Sequence, residues 1–127
     1  RSDMSVKGLG TDIVEIERIK KALSSSNRLA QRVLTEFEMQ IFLEHRQPDR
    51  YLAKRWAAKE AAAKAFGTGI GRGISFQHFE IKNDHLGAPK LILTGPVLQL
   101  AEERGISSVM LSISDESHYA MAVVVLS

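Results

Sequence analysis

The chemistry available to this 127-residue chain is concentrated in two carboxylates, one lysine and a run of glycines. Glu60 and Lys64 stand four residues apart in the alanine-rich segment Arg55-Trp56-Ala57-Ala58-Lys59-Glu60-Ala61-Ala62-Ala63-Lys64-Ala65-Phe66, which empties into Gly67-Thr68-Gly69-Ile70-Gly71. At ~100° per residue the two charges project from one helical face. Their neighbours on that face, Ala53 and Ala57, are too small to cover them, so an open face is expected. A carboxylate and an ammonium beside a glycine loop offer a cation ligand and a phosphate partner. The plain alternative is a solvated Glu→Lys pair worth about 0.2–0.5 kcal/mol on a helix that Gly67 terminates. Asp12 is the second carboxylate of interest, near the end of an apolar strand pattern. There it needs a partner, and a metal, a helix N-terminus or an arginine would each serve.

Other chemistries find little footing. The four histidines, at 45, 78, 85 and 118, lack zinc-ligand spacing, and there is no cysteine and no nucleophile elbow. The glycine run is not a Walker loop, because no Lys-Ser/Thr follows it, and it follows a helix where a dinucleotide fingerprint follows a strand. Hard-cation chemistry remains. Mg²⁺ typically takes one or two carboxylates and completes its shell with water and substrate phosphate oxygens.

The elements that must position these groups are legible in outline. Val6 to Val14 alternates around β-branched residues and reads as a first strand, with Gly8 and Gly10 marking a close approach by a backbone or a ligand. A helix begins at Glu15 with Ile16, Ile19 and Leu23 inward; a second spans 28–33. Thr35 and Glu38 form a capping-box pattern for a third, whose buried face is Phe37, Ile41 and Phe42. Pro48-Asp49 caps the charged helix, and Leu52, Trp56, Ala63 and Phe66 make its apolar stripe, with Glu60 half sheltered at the edge. Strands are expected from Ile74 to Ile81 and Lys90 to Leu93, joined by Asn83-Asp84-His85-Leu86-Gly87. A short helix from Pro96 to Gly105 comes next, and strands from Ser107 to Ser114 and Tyr119 to Leu126 close the chain. This order predicts an α+β domain with a mainly antiparallel sheet, one domain over residues 4–127. Arg1-Ser2-Asp3 before Met4 looks like a tag remnant.

Composition narrows the partners. Residues 1–64 carry 13 basic and 9 acidic side chains, whereas the rest carry 4 and 6, so the first half favours an acidic partner. Nucleic acid is disfavoured because the basic residues between 18 and 32 are interleaved with Ile and Leu and lack stacking aromatics. The longest apolar run, Ala120 to Leu126, is too short for a bilayer, for which ~20 residues are needed. A cysteine-free chain without an export signal is expected in the cytoplasm.

Gly10-Thr11-Asp12-Ile13-Val14-Glu15-Ile16 and the Trp56 to Ile70 segment together resemble the two signatures of the holo-[acyl-carrier-protein] synthases, the small bacterial 4'-phosphopantetheinyl transferases. The first has the family's G-x-D-x-x-E order, and the second has W/F-A-A-K-E-A-x-x-K-A followed by F-G-T-G-I. The likeness continues through Asn83 to Pro89 and covers nearly all of residues 5–126. It implies transfer of the 4'-phosphopantetheine arm of coenzyme A to a serine of apo acyl carrier protein, a step of fatty acid biosynthesis. Asp12 and Glu60 match the family's Mg²⁺ ligands, Lys64 the lysine facing the phosphates, and Gly67, Thr68, Gly87 and Pro89 lie near the nucleotide. Arg18 matches the arginine that docks an acidic helix of the carrier protein. The resemblance, with the small residues around 57–73 that let backbones approach, implies a homotrimer with coenzyme A held between subunits. His118 fits one branch of the pattern only, and a satisfied strand histidine is its simpler reading. A metal-dependent phosphohydrolase using the same residues, or a non-catalytic basic binding module, are the competing functions.

Overall fold

A computed structural model describes residues 5–127; the residues before Met4 read as a tag remnant, and Met4 itself, lie outside the described part. Chain order is β1 (Gly8–Glu15), α1 (Ile16–Ser25), α2 (Arg28–Val33), α3 (Glu36–Glu44), α4 (Pro48–Phe66), a 3₁₀ turn (Phe76–His78), β2 (Phe79–Asn83), β3 (Pro89–Leu93), α5 (Gly95–Glu103), β4 (Val109–Asp115) and β5 (Tyr119–Leu126). The strands are all antiparallel, but they form two sheets: β1-β5-β4, and the hairpin β2-β3. The α+β architecture expected from the sequence is present. The single long strand expected from Ile74 to Ile81 is not. The Ser75 hydroxyl accepts Gln77 N–H and His78 Nδ1 accepts Ser75 N–H, so local side-chain bonds turn the chain before β2 begins.

Helix α4 is the axis of the molecule. Pro48 occupies its first turn, where a missing N–H costs nothing, and the N-cap is Gln47 without a side-chain bond, so Asp49 is not the cap expected. Its C-terminus is a Schellman closure: Gly67 is left-handed at φ 75°, its N–H donates to Lys64 O, and Thr68 N–H donates to Ala63 O. Ala53, Ala57, Ala58, Ala61, Ala62, Ala63 and Ala65 are buried, together with Leu52 and Phe66. One core joins α4 to Phe79, Ile81, Val97, Val124 and Leu126; the other joins it to Ile16, Ile19, Val33, Leu34, Phe42 and Phe76. The apolar stripe foreseen on α4 is therefore almost a full cylinder.

Two expectations about α3 separate here. Its capping box forms in both directions, Thr35 N–H to Glu38 and Glu38 N–H to Thr35 Oγ1. Its buried side is Phe42 with Glu38 itself, whereas Phe37 and Ile41 face solvent. A carboxylate in the core instead of two apolar side chains is explained by Lys59, described below.

β1 meets α4 backbone to backbone. A Cβ on Gly10 would lie 2.0 Å from Ala61 O and 2.6 Å from Ala65 N, and one on Gly8 would lie 2.3 Å from Ala65 O. The close approach read from these glycines is thus a helix, and methyl-sized Ala61 and Ala65 are its other half. Gly10→Ala should force the strand off the helix, lowering stability by about 1–3 kcal/mol as overpacking does. Denaturant midpoints at one fixed protein concentration measure this, and an unchanged midpoint would contradict the contact.

Candidate functional site

Alternation along β1 sends Gly8, Gly10, Asp12 and Val14 toward α4 and Leu9, Thr11 and Ile13 away from it. Two residues beyond the glycine contact, Asp12 therefore arrives against the last turns of α4. Lys64 Nζ donates to Asp12 Oδ1 at 3.1 Å and to Thr11 O at 3.0 Å. The helical Glu60–Lys64 pair considered from the sequence is not made, since the lysine crosses to the strand. Nor is the helix face bare, because Ala53 and Ala57 on it are fully buried and the opening is confined to its C-terminal end.

Glu60 is half-buried, and among the described residues nothing donates to its carboxylate or pairs with it. Burial first, then the negative charge of Asp12, pushes its carboxyl above the ordinary carboxylate range, while Lys64 and Arg32 pull it back. Two carboxylates crowded at the edge of the core, one lacking any donor, favour a cation between them. Among the described residues no group of three or more His, Cys, Asp or Glu side chains is placed to hold a metal, and the two carboxylates offer oxygen donors, which hard cations prefer. Two carboxylates with open positions for water and phosphate oxygens suit Mg²⁺. Asp12 and Lys64 border a cleft of about 350 Å³ whose other lining residues are Thr11, Ile13 and Met121.

The other expected residues fall in three places. Gly67 and Thr68 close α4 immediately beyond Lys64. Gly87 and Pro89 line a separate polar pocket of about 180 Å³ with Lys54, Arg55, Asn83 and Ile113. Ten residues separate Lys54 from Lys64 along the helix, a distance of ~15 Å, so one chain does not bring the two glycine-bearing sets together. Arg18 is exposed on the outer face of α1, one turn from Lys21. His118 is exposed in the turn before β5, which is not the strand position expected; its carbonyl accepts Ile16 N–H.

Sequence reasoning missed a second polar face of α4, Tyr51, Arg55 and Lys59. Their i, i+4, i+8 spacing was the available signal. Arg55 is 7 % exposed, its guanidinium lies 4.6 Å from the centre of the Tyr51 ring, and its Nε–H has no acceptor. A buried cation at the wall of a pocket that also holds Lys54 is a ready anion partner. Lys59 and Glu38 are both 0 % exposed and ion-paired at 2.5 Å. Burial pulls the Lys59 ammonium below its ordinary range, and Glu38 opposes that pull.

The sequence pattern of the 4'-phosphopantetheinyl transferase superfamily matches residues 8–124. The chain is 58 % identical over 123 residues to the holo-[acyl-carrier-protein] synthase of Alteromonas mediterranea, covering 97 % of this chain and 98 % of that one. Among solved structures, the holo-[acyl-carrier-protein] synthase of Neisseria meningitidis superposes with a TM-score of 0.90 at 43 % identity, over 97 % of this chain and 99 % of the other. The synthase of Bacillus anthracis, in complex with coenzyme A (3',5'-ADP), superposes with a TM-score of 0.79 at 38 % identity, over 95 % and 96 %.

The crowding at Glu60 has a measurable consequence in the metal-free protein. With its folded pKa raised, Glu60 keeps a proton in the native state at pH values where the unfolded chain has released it. Its contribution to stability therefore falls as pH rises from the ordinary carboxylate range through the raised value. Glu60→Gln should raise the melting temperature at neutral pH in chelator and leave it unchanged below the ordinary carboxylate range. A lower melting temperature at neutral pH would show that Glu60 has a stabilising partner.

Proposed function

We propose that Asp12, Glu60 and Lys64 form the active site of this chain, which belongs to the 4'-phosphopantetheinyl transferase superfamily and, within it, to the holo-[acyl-carrier-protein] synthases. The enzyme transfers the 4'-phosphopantetheine arm of coenzyme A to a serine of apo acyl carrier protein, giving holo carrier protein and adenosine 3',5'-bisphosphate. The serine oxygen bonds to the phosphorus that bears the arm, the bond from that phosphorus to the leaving bisphosphate oxygen breaks, and the serine proton leaves. Phosphoryl transfer of this kind needs positioning and charge neutralisation more than covalent help from the protein.

The observation that carries the assignment is the unpaired Glu60 carboxylate beside an Asp12 held by Lys64. Asp12 and Glu60 would hold Mg²⁺, which when bound supplies positive charge to the diphosphate oxygens. Lys64, more than half exposed on a flexible stem, keeps Asp12 oriented and turns its remaining N–H to the diphosphate. Glu60, or a water held beside it, would accept the proton released by serine. Gly67 and Thr68 lie beside the diphosphate. Gly87, Pro89, Lys54 and the unpaired Arg55 receive the phosphate-bearing nucleotide end. Arg18, on the basic outer face of α1, receives an acidic helix of the carrier protein. The expected compartment is the cytoplasm; no helix of the described chain is long and apolar enough to cross a membrane.

A homotrimer with active sites between subunits accounts for the ~15 Å gap between the two halves of the substrate site. The alanines between 57 and 65 lend it no support, since they are used inside the chain against β1 and β5, whereas Gly67, Gly69, Gly71 and Gly73 face open space. Support comes instead from the outer face of β1-β5-β4, where Leu9, Ile13 and Met110 are 62–65 % exposed beside Met121 and Val125. Exposed contiguous apolar faces of this kind mark association surfaces. Light scattering should return about three times 14.1 kDa. Ile13→Glu should dissociate the assembly and abolish transfer, and a monomer with full activity would contradict the shared site.

Incubation with coenzyme A, Mg²⁺ and apo carrier protein, read by mass, tests the residues. Asp12→Ala and Glu60→Ala should abolish transfer in folded protein. Lys64→Ala should lower kcat by on the order of 10²–10³-fold, as loss of one preorganised charge donor does. Arg18→Glu should act on the carrier KM and leave kcat near that of the parent. Normal transfer by folded Asp12→Ala and Glu60→Ala proteins would end this reading.

A further inference from the structure

Lys59 adjoins Glu60 in sequence but points into the protein from the other side of α4. Its Nζ donates to Glu38 Oε1 at 2.5 Å and to Val33 O at 2.7 Å. The same Glu38 carboxylate accepts Thr35 N–H at 2.9 Å and, through its second oxygen, Ile81 N–H at 2.7 Å. One buried ion pair thus ties α4 to the C-terminal carbonyl of α2, the first turn of α3 and the middle of β2. Every bond in it is directional.

Away from Leu52, Phe66 and the Gly10 contact, α4 has few large side chains with which to set its own rotation. Ala57, Ala58, Ala61, Ala62, Ala63 and Ala65 present methyl groups to the core shared with β2 and β5, and Ala53 presents one to the core shared with α1, α2 and α3. Low methyl ridges interlock weakly, so between those contacts the methyl groups do little to resist a small turn of the helix. The site tolerates little of either, because a one-residue slip moves a side chain ~1.5 Å along the axis and ~100° around it. Stability alone is a weak reason to keep this pair, since well-packed apolar replacements of buried ion pairs are often neutral or stabilising. Fixing register is the use of buried charges with the best support.

We propose that Glu38 and Lys59 are positioning residues that pin the rotation and height of α4, so that Glu60 faces Asp12 across the cation site. The inference rests on the assignment of Asp12 and Glu60 above. Neither residue of the pin touches substrate; both act through the helix.

The test replaces the pair with apolar side chains of similar shape, Glu38→Leu with Lys59→Met, in the full chain. Three quantities are measured: melting temperature, Mn²⁺ affinity by water-proton relaxation, and transfer kinetics. The proposal expects a folded protein melting within a few degrees of the parent. Mn²⁺ affinity should be weaker by about tenfold or more, as loss of an outer-shell support typically makes it. A parallel fall in kcat with unchanged carrier KM should accompany it. A purely structural pair predicts parental Mn²⁺ affinity and kcat once the fold is retained, and that result would overturn the proposal. Should the double variant fail to fold, Lys59→Arg decides. It keeps the charge but enlarges the head group, and parental Mn²⁺ affinity in it would equally overturn the pin. Glu60→Ala separates the two levels of inference. If it binds Mn²⁺ as the parent does, the site assignment fails and the pin with it; if it loses Mn²⁺ while the apolar pair keeps it, the pin fails alone.

Discussion

The contact of β1 with α4 is the constraint on which the molecule depends. A strand and a helix usually meet through side chains, with their axes about 10 Å apart. Here glycine faces alanine, and the Gly10 Cα sits so near the Ala61 carbonyl that even a methyl group has no room. The short separation decides the chemistry further along. Asp12, only two residues on, is delivered to the last turns of the helix, within reach of Lys64 and inside the field of Glu60.

A helix approached so closely from one side has to bury the others, and α4 is enclosed by β5, α1, α2 and α3 as well. Alanine is the residue that allows this, being small and the best helix former. It also makes a smooth cylinder. The polar residues that interrupt the cylinder are then accounted for by two separate needs. Tyr51, Arg55 and Lys59 run down one side, where Lys59 meets Glu38 and Arg55 borders the pocket of Gly87 and Pro89. Glu60 and Lys64 lie at the opening beside Asp12. Helix α4 is at once core, scaffold and wall of the candidate site.

Function appears in this fold as local imperfection. Among the described residues, Glu60 is partly buried near another carboxylate with no donor of its own, and the buried Arg55 has an Nε–H without an acceptor. The outer face of the main sheet exposes Leu9, Ile13 and Met110. Each would be a defect in a chain selected for stability as an isolated monomer. Each becomes intelligible under the proposal that a divalent cation, a phosphate-bearing nucleotide and further copies of the chain complete the assembly.

Much of this was legible without coordinates. Helix starts and stops are local chemistry, so the Thr35-Glu38 box and the Gly67 closure could be read from residue types, as could the antiparallel α+β order of elements. Wording specific to one enzyme family pointed to Asp12, Glu60 and Lys64 as a set. What the sequence could not show was which partner satisfies a charge, because that depends on segments far apart in the chain. Lys64 had a helical neighbour in Glu60 and instead bonds Asp12, 52 residues away. Glu38 read only as half of a capping box and lies wholly buried, because Lys59 and Ile81 N–H reach it only after α4 and β2 have packed. Phe37 and Ile41 face water for the same reason, since Glu38 and Phe42 take the inward side of α3. Local propensity is written residue by residue, whereas desolvation and charge pairing are decided by what tertiary packing places within a few ångströms.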